Sequence, residues 1–138
     1  MKAFFDTSAL IKRYLDEPGS GKVAGLFEDA IEVYLSPAAR VEAYHVFYRL
    51  KHSHPSETEH LYYGMREMEQ DLRSFSVVMW DGALENKVLE VMEKVPIKSF
   101  DAVQLASALM VKPDMFITAD KQLAVAARKF PLTVVFIS

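Results

Sequence analysis

The chain predicts a three-layer α/β/α fold around a central, mainly parallel sheet of about five strands, and three observations carry that expectation. Five short apolar, β-branched runs alternate with segments of helical period. The first run, Lys2-Ala3-Phe4-Phe5, passes straight into Asp6 and a helix start, and the fourth, Met115-Phe116-Ile117-Thr118, repeats that design into Ala119-Asp120. Between them, Lys98 to Leu109 is apolar nearly all round, the mark of a buried helix. Strands joined through helices pair in parallel, with helices covering both faces of the sheet. Ligands of such sheets bind outside the carboxyl ends of the strands, so an acid delivered there points into a crevice.

Taken in order, Thr7 and Ser8 are natural helix N-cap residues, and Ala9, Leu10, Ile11, Tyr14 and Leu15 follow at helical spacing until Asp16-Glu17-Pro18-Gly19. Ser20-Gly21-Lys22 resembles a phosphate loop, but Asp16 stands where that loop needs glycine and Val23 where it needs Ser or Thr; an ordinary helix start with Val23, Leu26 and Phe27 inward is the better reading. Ile31 to Leu35 reads as the second strand, and Ser36-Pro37 opens a helix that contains Glu42. Ala38, Ala39, His45 and Val46 share its face, so no Lys or Arg stands at helical spacing to pair it. His52-Ser53-His54-Pro55 breaks the pattern, and a long helix is expected from about Ser56 to Ser74 with Leu61, Met65, Met68 and Leu72 on one stripe. His52, His54 and His60 lack the spacing of helical zinc motifs and read as a solvated loop. Val77 to Trp80 is expected as the third strand, then Asp81-Gly82 and a helix with Leu84, Val88, Val91 and Val95 inward. The buried helix that follows carries one polar line, Asp101, Gln104 and Ser107. After Asp120 comes a helix with Leu123, Ala126, Ala127 and Phe130 inward, and Thr133 to Ile137 is the last strand.

Composition narrows the chemistry. The 138 residues suit one domain, with a core large enough to fold without disulfide or structural metal. The absence of cysteine excludes disulfides, thiolate zinc sites and cysteine nucleophiles, so any metal must be held by oxygen or imidazole. No apolar run approaches a membrane span, and Asp6 arrives too early for a signal-peptide core, which leads us to expect a cytoplasmic protein without membrane contact. A formal net charge of −3 argues against a broad basic surface for nucleic acid. Four acids neutralised by bound ions would reverse that balance, so an anionic polymer stays open as substrate.

Asp6, Glu42, Asp101 and Asp120 each have a local explanation: a simple helix cap for Asp6, a solvated carboxylate for Glu42, a helix-dipole partner for Asp101, an N-cap for Asp120. None of these explanations predicts that all four lie near strand ends or helix starts. Gathered together, four carboxylates repel one another and raise one another's pKa, an arrangement that persists where cations neutralise it. Mg²⁺ or Mn²⁺, with their preference for hard oxygen ligands, suit such a place.

These segments resemble the PIN domains, and among them the compact VapC-type ribonuclease toxins of toxin-antitoxin pairs. The likeness rests on Phe5-Asp6-Thr7-Ser8-Ala9-Leu10 with Lys12 following, on Ser36 six residues before Glu42, on Phe100-Asp101-Ala102 leading to Leu105-Ala106-Ser107-Ala108, and on Phe116-Ile117-Thr118-Ala119-Asp120 leading to Leu123 and Ala126-Ala127. It implies a single nuclease domain over residues 1–138 and a metal-dependent endonuclease acting on single-stranded or structured RNA. Asp6, Glu42, Asp101 and Asp120 would be the catalytic, metal-holding acids, supported by Thr7, Ser8 and Thr118. The resemblance further implies a homodimer and a small antitoxin protein that blocks the site. Lys12, Arg13, Arg40, Lys98 and Lys121, close in sequence to the acids, are candidates for RNA backbone contacts. Competing readings are a PIN-like binding or assembly module without catalysis, a housekeeping nuclease without antitoxin, and a haloacid-dehalogenase-type phosphatase. The last needs a second Asp two residues after the first, where Ser8 stands.

Overall fold

The computed structural model describes residues 1–138. Its strands are β1 (Lys2–Phe5), β2 (Glu32–Leu35), β3 (Ser76–Val77), β4 (Met115–Thr118) and β5 (Val134–Phe136), and its helices are α1 (Thr7–Leu10), α2 (Ser20–Asp29), α3 (Ala39–Ser53), α4 (Thr58–Leu72), α5 (Gly82–Lys94), α6 (Ser99–Val111) and α7 (Lys121–Ala127). All four pairings of the five-stranded sheet are parallel, in the order β3-β2-β1-β4-β5. The chain therefore builds outward from β1 through β2 to β3, then crosses back to place β4 on the other side of β1. That reversal makes a topological switch point between β1 and β4, where adjacent connections leave in opposite directions and open a crevice.

Alternation along the strands divides the core in two. Phe4 and Phe116 face one side, where their rings stack at 5.6 Å among the buried residues of α5, α6 and α7. Ala3, Phe5 and Ile117 face the other, against α1 to α4. There Phe5, Phe27 and Phe75 form a continuous stack, with centroid distances of 4.0 and 5.6 Å. Both faces being covered explains why the strands read as unbroken apolar runs. Gly64 lets α4 approach closely: a Cβ there would stand 3.0 Å from the Tyr14 carbonyl and 3.2 Å from the Phe47 ring.

Several expected boundaries are corrected. The N-cap of α1 is Asp6, whose carboxylate accepts from the Ala9 amide, so Thr7 and Ser8 are helical and free to serve elsewhere. Residues after Leu10 tighten into a 3₁₀ turn, Ile11–Arg13. The strand expected at Val77 to Trp80 is only Ser76–Val77. As an edge strand it has a partner on one side, and the chain then leaves the sheet, with Met79 and Trp80 exposed and the indole donating to Glu85. The long helix begins at Thr58, behind a 3₁₀ turn at Pro55–Glu57, and ends at Leu72. Phe130 lies beyond the end of α7, though it still packs on the core. No helix is long and apolar enough to cross a membrane.

Candidate active site

Register fixes the first two acids. Phe5 pairs with Ile117, and the Asp6 amide donates to the Ile117 carbonyl at 3.0 Å, which sets Asp6 beside Thr118 at the carboxyl ends of β1 and β4. Asp6 is 3% exposed. Its Oδ1 accepts from Ser8 Oγ at 2.7 Å and the Ala9 amide at 3.0 Å, and its Oδ2 accepts from Thr118 Oγ1 at 2.9 Å. A carboxylate oxygen has room for about two donors, so Oδ2 keeps one position open. Burial pushes this carboxyl from its ordinary 3.8 up to about 7 against the pull of those three donors, and Asp120 adds to the rise.

Asp120 caps α7: its Oδ1 accepts from the amides of Gln122 and Leu123 at 2.8 and 3.1 Å. Its own amide donates to Thr118 Oγ1 at 3.0 Å, so one buried hydroxyl serves both strand-end acids. Thr118→Val removes the hydroxyl at nearly constant volume and leaves Asp6 Oδ2 and the Asp120 amide short of a partner. We expect this variant to lose about 1–3 kcal/mol in denaturant unfolding; an unchanged midpoint and slope would contradict the shared role.

Glu42 and Asp101 arrive on helices from the opposite sides of the crevice. Glu42 lies in the first turn of α3, where Ser36 Oγ accepts from the Ala38 amide just ahead of the helix. Its Oε1 accepts from Gln104 Nε2 and from Thr7 Oγ1 at 3.1 Å, and Gln104 Nε2 also donates to Thr7 Oγ1 at 2.7 Å. Glu42 therefore has neutral donors in place of the cationic partner its helix lacks. Asp101, in the first turn of α6, is half-buried; burial raises its pKa, as do Asp120 and Glu42, and only Lys98 opposes them.

All four acids line one cleft of about 480 Å³, together with Thr7, Ser8, Val41, His45, Val46, Phe100 and Gln104. Of the three candidate supporting hydroxyls, Ser8 and Thr118 donate to Asp6, and Thr7 donates to Glu42. The side chains do not converge on a ready-made shell, since no three of the acidic or imidazole groups stand close enough to ligate one ion directly. The donor set is nonetheless all oxygen and anionic, and it suits a hard cation that keeps part of its water, as Mg²⁺ does.

Gln104 is the site residue that sequence reasoning passed over. It is 1% exposed, and its Oε1, like Ser107 Oγ one turn later, is buried without a hydrogen-bond partner. Its signal was the polar line on an otherwise apolar helix. The five basic candidates lie outside the cleft lining. Lys12 is held by Glu17 and the Pro18 carbonyl, Arg13 by Asp71 and Arg40 by Glu69. Lys98 precedes α6 beside Asp101, and Lys121 opens α7.

The family model for the PIN domain matches residues 3–129. No curated protein sequence matches the chain. Among solved structures, a toxin-antitoxin complex from Klebsiella pneumoniae superposes with a TM-score of 0.71 at 18% identity, covering 99% of this chain and 98% of the other. VapC20 of Mycobacterium tuberculosis, described as a toxin that cleaves the sarcin-ricin loop, gives 0.66 at 14% identity over 90% and 94% of the two chains. FitAcB from Neisseria gonorrhoeae gives 0.65 at 17% identity over 96% and 95%. At these identities the likeness speaks for the fold.

Proposed function

The chain belongs to the PIN domain family, and from that premise we propose that it is a Mg²⁺- or Mn²⁺-dependent endonuclease of single-stranded RNA, the toxin of a type II toxin-antitoxin pair. The observation that carries this reading is the meeting of Asp6, Glu42, Asp101 and Asp120, from four separate elements, in one cleft at the switch point of the sheet. Each comes from a different strand end or helix start, and three of the four are oriented by hydrogen bonds within the chain. Local helix capping explains the Ala9 bond to Asp6 and the bonds to Asp120 Oδ1, but neither the Thr118 bond to Asp6 across 112 residues nor the clamp on Glu42 by Gln104 across 62.

Asp6, Asp101, Asp120 and Glu42 would hold the ion, in part through water that it retains. When bound, it supplies Lewis acidity, lowering the pKa of water and offsetting charge on the phosphoryl oxygens. The protein's own contribution is position and charge. Ser8, Thr118 and the Ala9 amide fix Asp6, and Gln104 and Thr7 fix Glu42, so little reorganisation is left for the reaction. Asp101, raised in pKa and half-exposed, is the carboxylate suited to accept the proton of the attacking water. The water oxygen bonds to phosphorus in line with the scissile P–O3′ bond, that bond breaks, and the proton passes to the leaving 3′ oxygen. The products are a 5′-phosphate and a 3′-hydroxyl end.

The same reading includes a homodimer and a small antitoxin protein that covers the cleft. A direct test incubates the purified protein with single-stranded RNA and Mn²⁺, with and without EDTA. Fragments bearing 5′-phosphates that disappear with EDTA are expected. Intact RNA across a mixed-sequence pool in Mn²⁺ would favour the binding-module reading instead.

A further inference from the structure

We infer that the face of α3 formed by His45, Tyr48, Arg49 and His52 is the track along which the RNA strand leaves the acidic cleft. The inference rests on the nuclease reading and deepens it, because it names where the substrate lies beyond the reacting phosphate. Positions 45, 48, 49 and 52 follow the spacing that puts residues on one helix face, and together with Ser53 they line a shallow groove over about 10 Å of helix. His45 lines this groove and the acidic cleft alike, so the two are continuous.

The chemistry of the groove is the complement of the cleft. No Asp or Glu lines it. Arg49 is its permanent cation and has no carboxylate partner, whereas Lys12, Arg13, Arg40 and Lys87 are all paired within the chain. Tyr48 is 41% exposed, and its ring is braced from below by stacking on Tyr44 at 5.8 Å. A fixed aromatic surface beside an unpaired guanidinium is how proteins hold single strands, with a base on the ring and a phosphate on the cation. The groove contains one apolar residue among five, unlike the more hydrophobic faces that permanent protein interfaces use. An imidazole at each end, His45 toward the acids and His52 away from them, adds donors that a nucleotide can use.

The test measures binding of a fluorescein-labelled single-stranded RNA by anisotropy in Mg²⁺, in an Asp101→Asn background so that the probe stays intact. Arg49→Gln and Tyr48→Leu are each expected to weaken a ten-nucleotide probe about tenfold, and Arg49→Gln to reduce the slope of log affinity against log salt by about one. A three-nucleotide probe, too short to leave the cleft, should change less than twofold. Arg128→Gln, the same charge change on the far end of α7, is the control and should match the parent. Equal affinities for the parent and both α3 variants, or equal losses on short and long probes, would overturn the track. A change in light-scattering mass with unchanged RNA affinity would also overturn it, by assigning the face to a second copy or another protein. Failure of the parent itself to bind any single-stranded RNA would remove the nuclease reading together with the track, an outcome distinct from failure of the α3 variants alone.

Discussion

Asp101→Asn is expected to lower metal-dependent cleavage of single-stranded RNA by at least about a hundredfold while leaving the chain as stable as its parent or more so. The two effects have one cause. Asp101 is half-buried at the start of α6, and burial, Asp120 and Glu42 all raise its pKa. In the metal-free protein its negative charge is therefore a cost that a neutral amide of the same shape removes. On the proposed nuclease reading that charge would hold a cation and take a proton, which asparagine cannot do. Residues of an active site commonly trade stability for function in this way. Single-turnover cleavage and urea unfolding, measured on the same preparations, check both halves. Equal cleavage by both proteins would trace the activity to something other than this cleft, and a large loss of stability would make Asp101 a structural helix cap.

The second large effect concerns Asp6 and pH. Its carboxyl lies at about 7 in the folded chain, against 3.8 when unperturbed, chiefly because it is buried. The folded protein thus binds this proton more tightly than the unfolded chain does. The stability it contributes is fully present below the unfolded value and is lost as pH rises through about 7. Over that window the loss approaches roughly 4 kcal/mol, and Asp101, shifted in the same direction, adds to it. In EDTA, the parent is expected to be markedly less stable at pH 8 than at pH 5, and Asp6→Asn to flatten the curve and exceed the parent at pH 8. Added Mg²⁺ should restore the parent by binding the folded state and leave Asp6→Asn nearly unmoved. Parallel pH curves for the two proteins in EDTA would show that the buried carboxyl is not the source.

What was legible in the sequence was whatever depends on local pattern. The five apolar runs announced the strands, and the strand-to-acid repeat at Asp6 and Asp120 announced the crevice, because a parallel sheet leaves its strand ends in register. Of the three hydroxyls, Ser8 holds the acid two residues before it, whereas Thr7 holds Glu42 across 35 residues and Thr118 holds Asp6 across 112. What was not legible depends on partners distant in sequence. Arg13 and Asp71 are 58 residues apart and Arg40 and Glu69 are 29 apart, so proximity to the acids could not reveal that these cations are already paired. Gln104 reaches Thr7 across 97 residues. Its place on the polar line of α6 was visible, but the carboxylate it clamps was not. The histidine-rich stretch reads as solvated loop from its proline and polar residues; in the structure His52 belongs to α3 and shares a groove with His45, and His60 lies in α4.

The claim on which the rest depends is that these four carboxylates hold a divalent ion, and titration of Mn²⁺ into the metal-free protein, followed by the loss of its free-ion EPR signal, tests it without reference to any substrate. Saturable binding by the parent, weakened at least tenfold in both Asp6→Asn and Asp101→Asn, is the predicted result. Binding that is absent in the parent, or that is unchanged in the two variants, would contradict it.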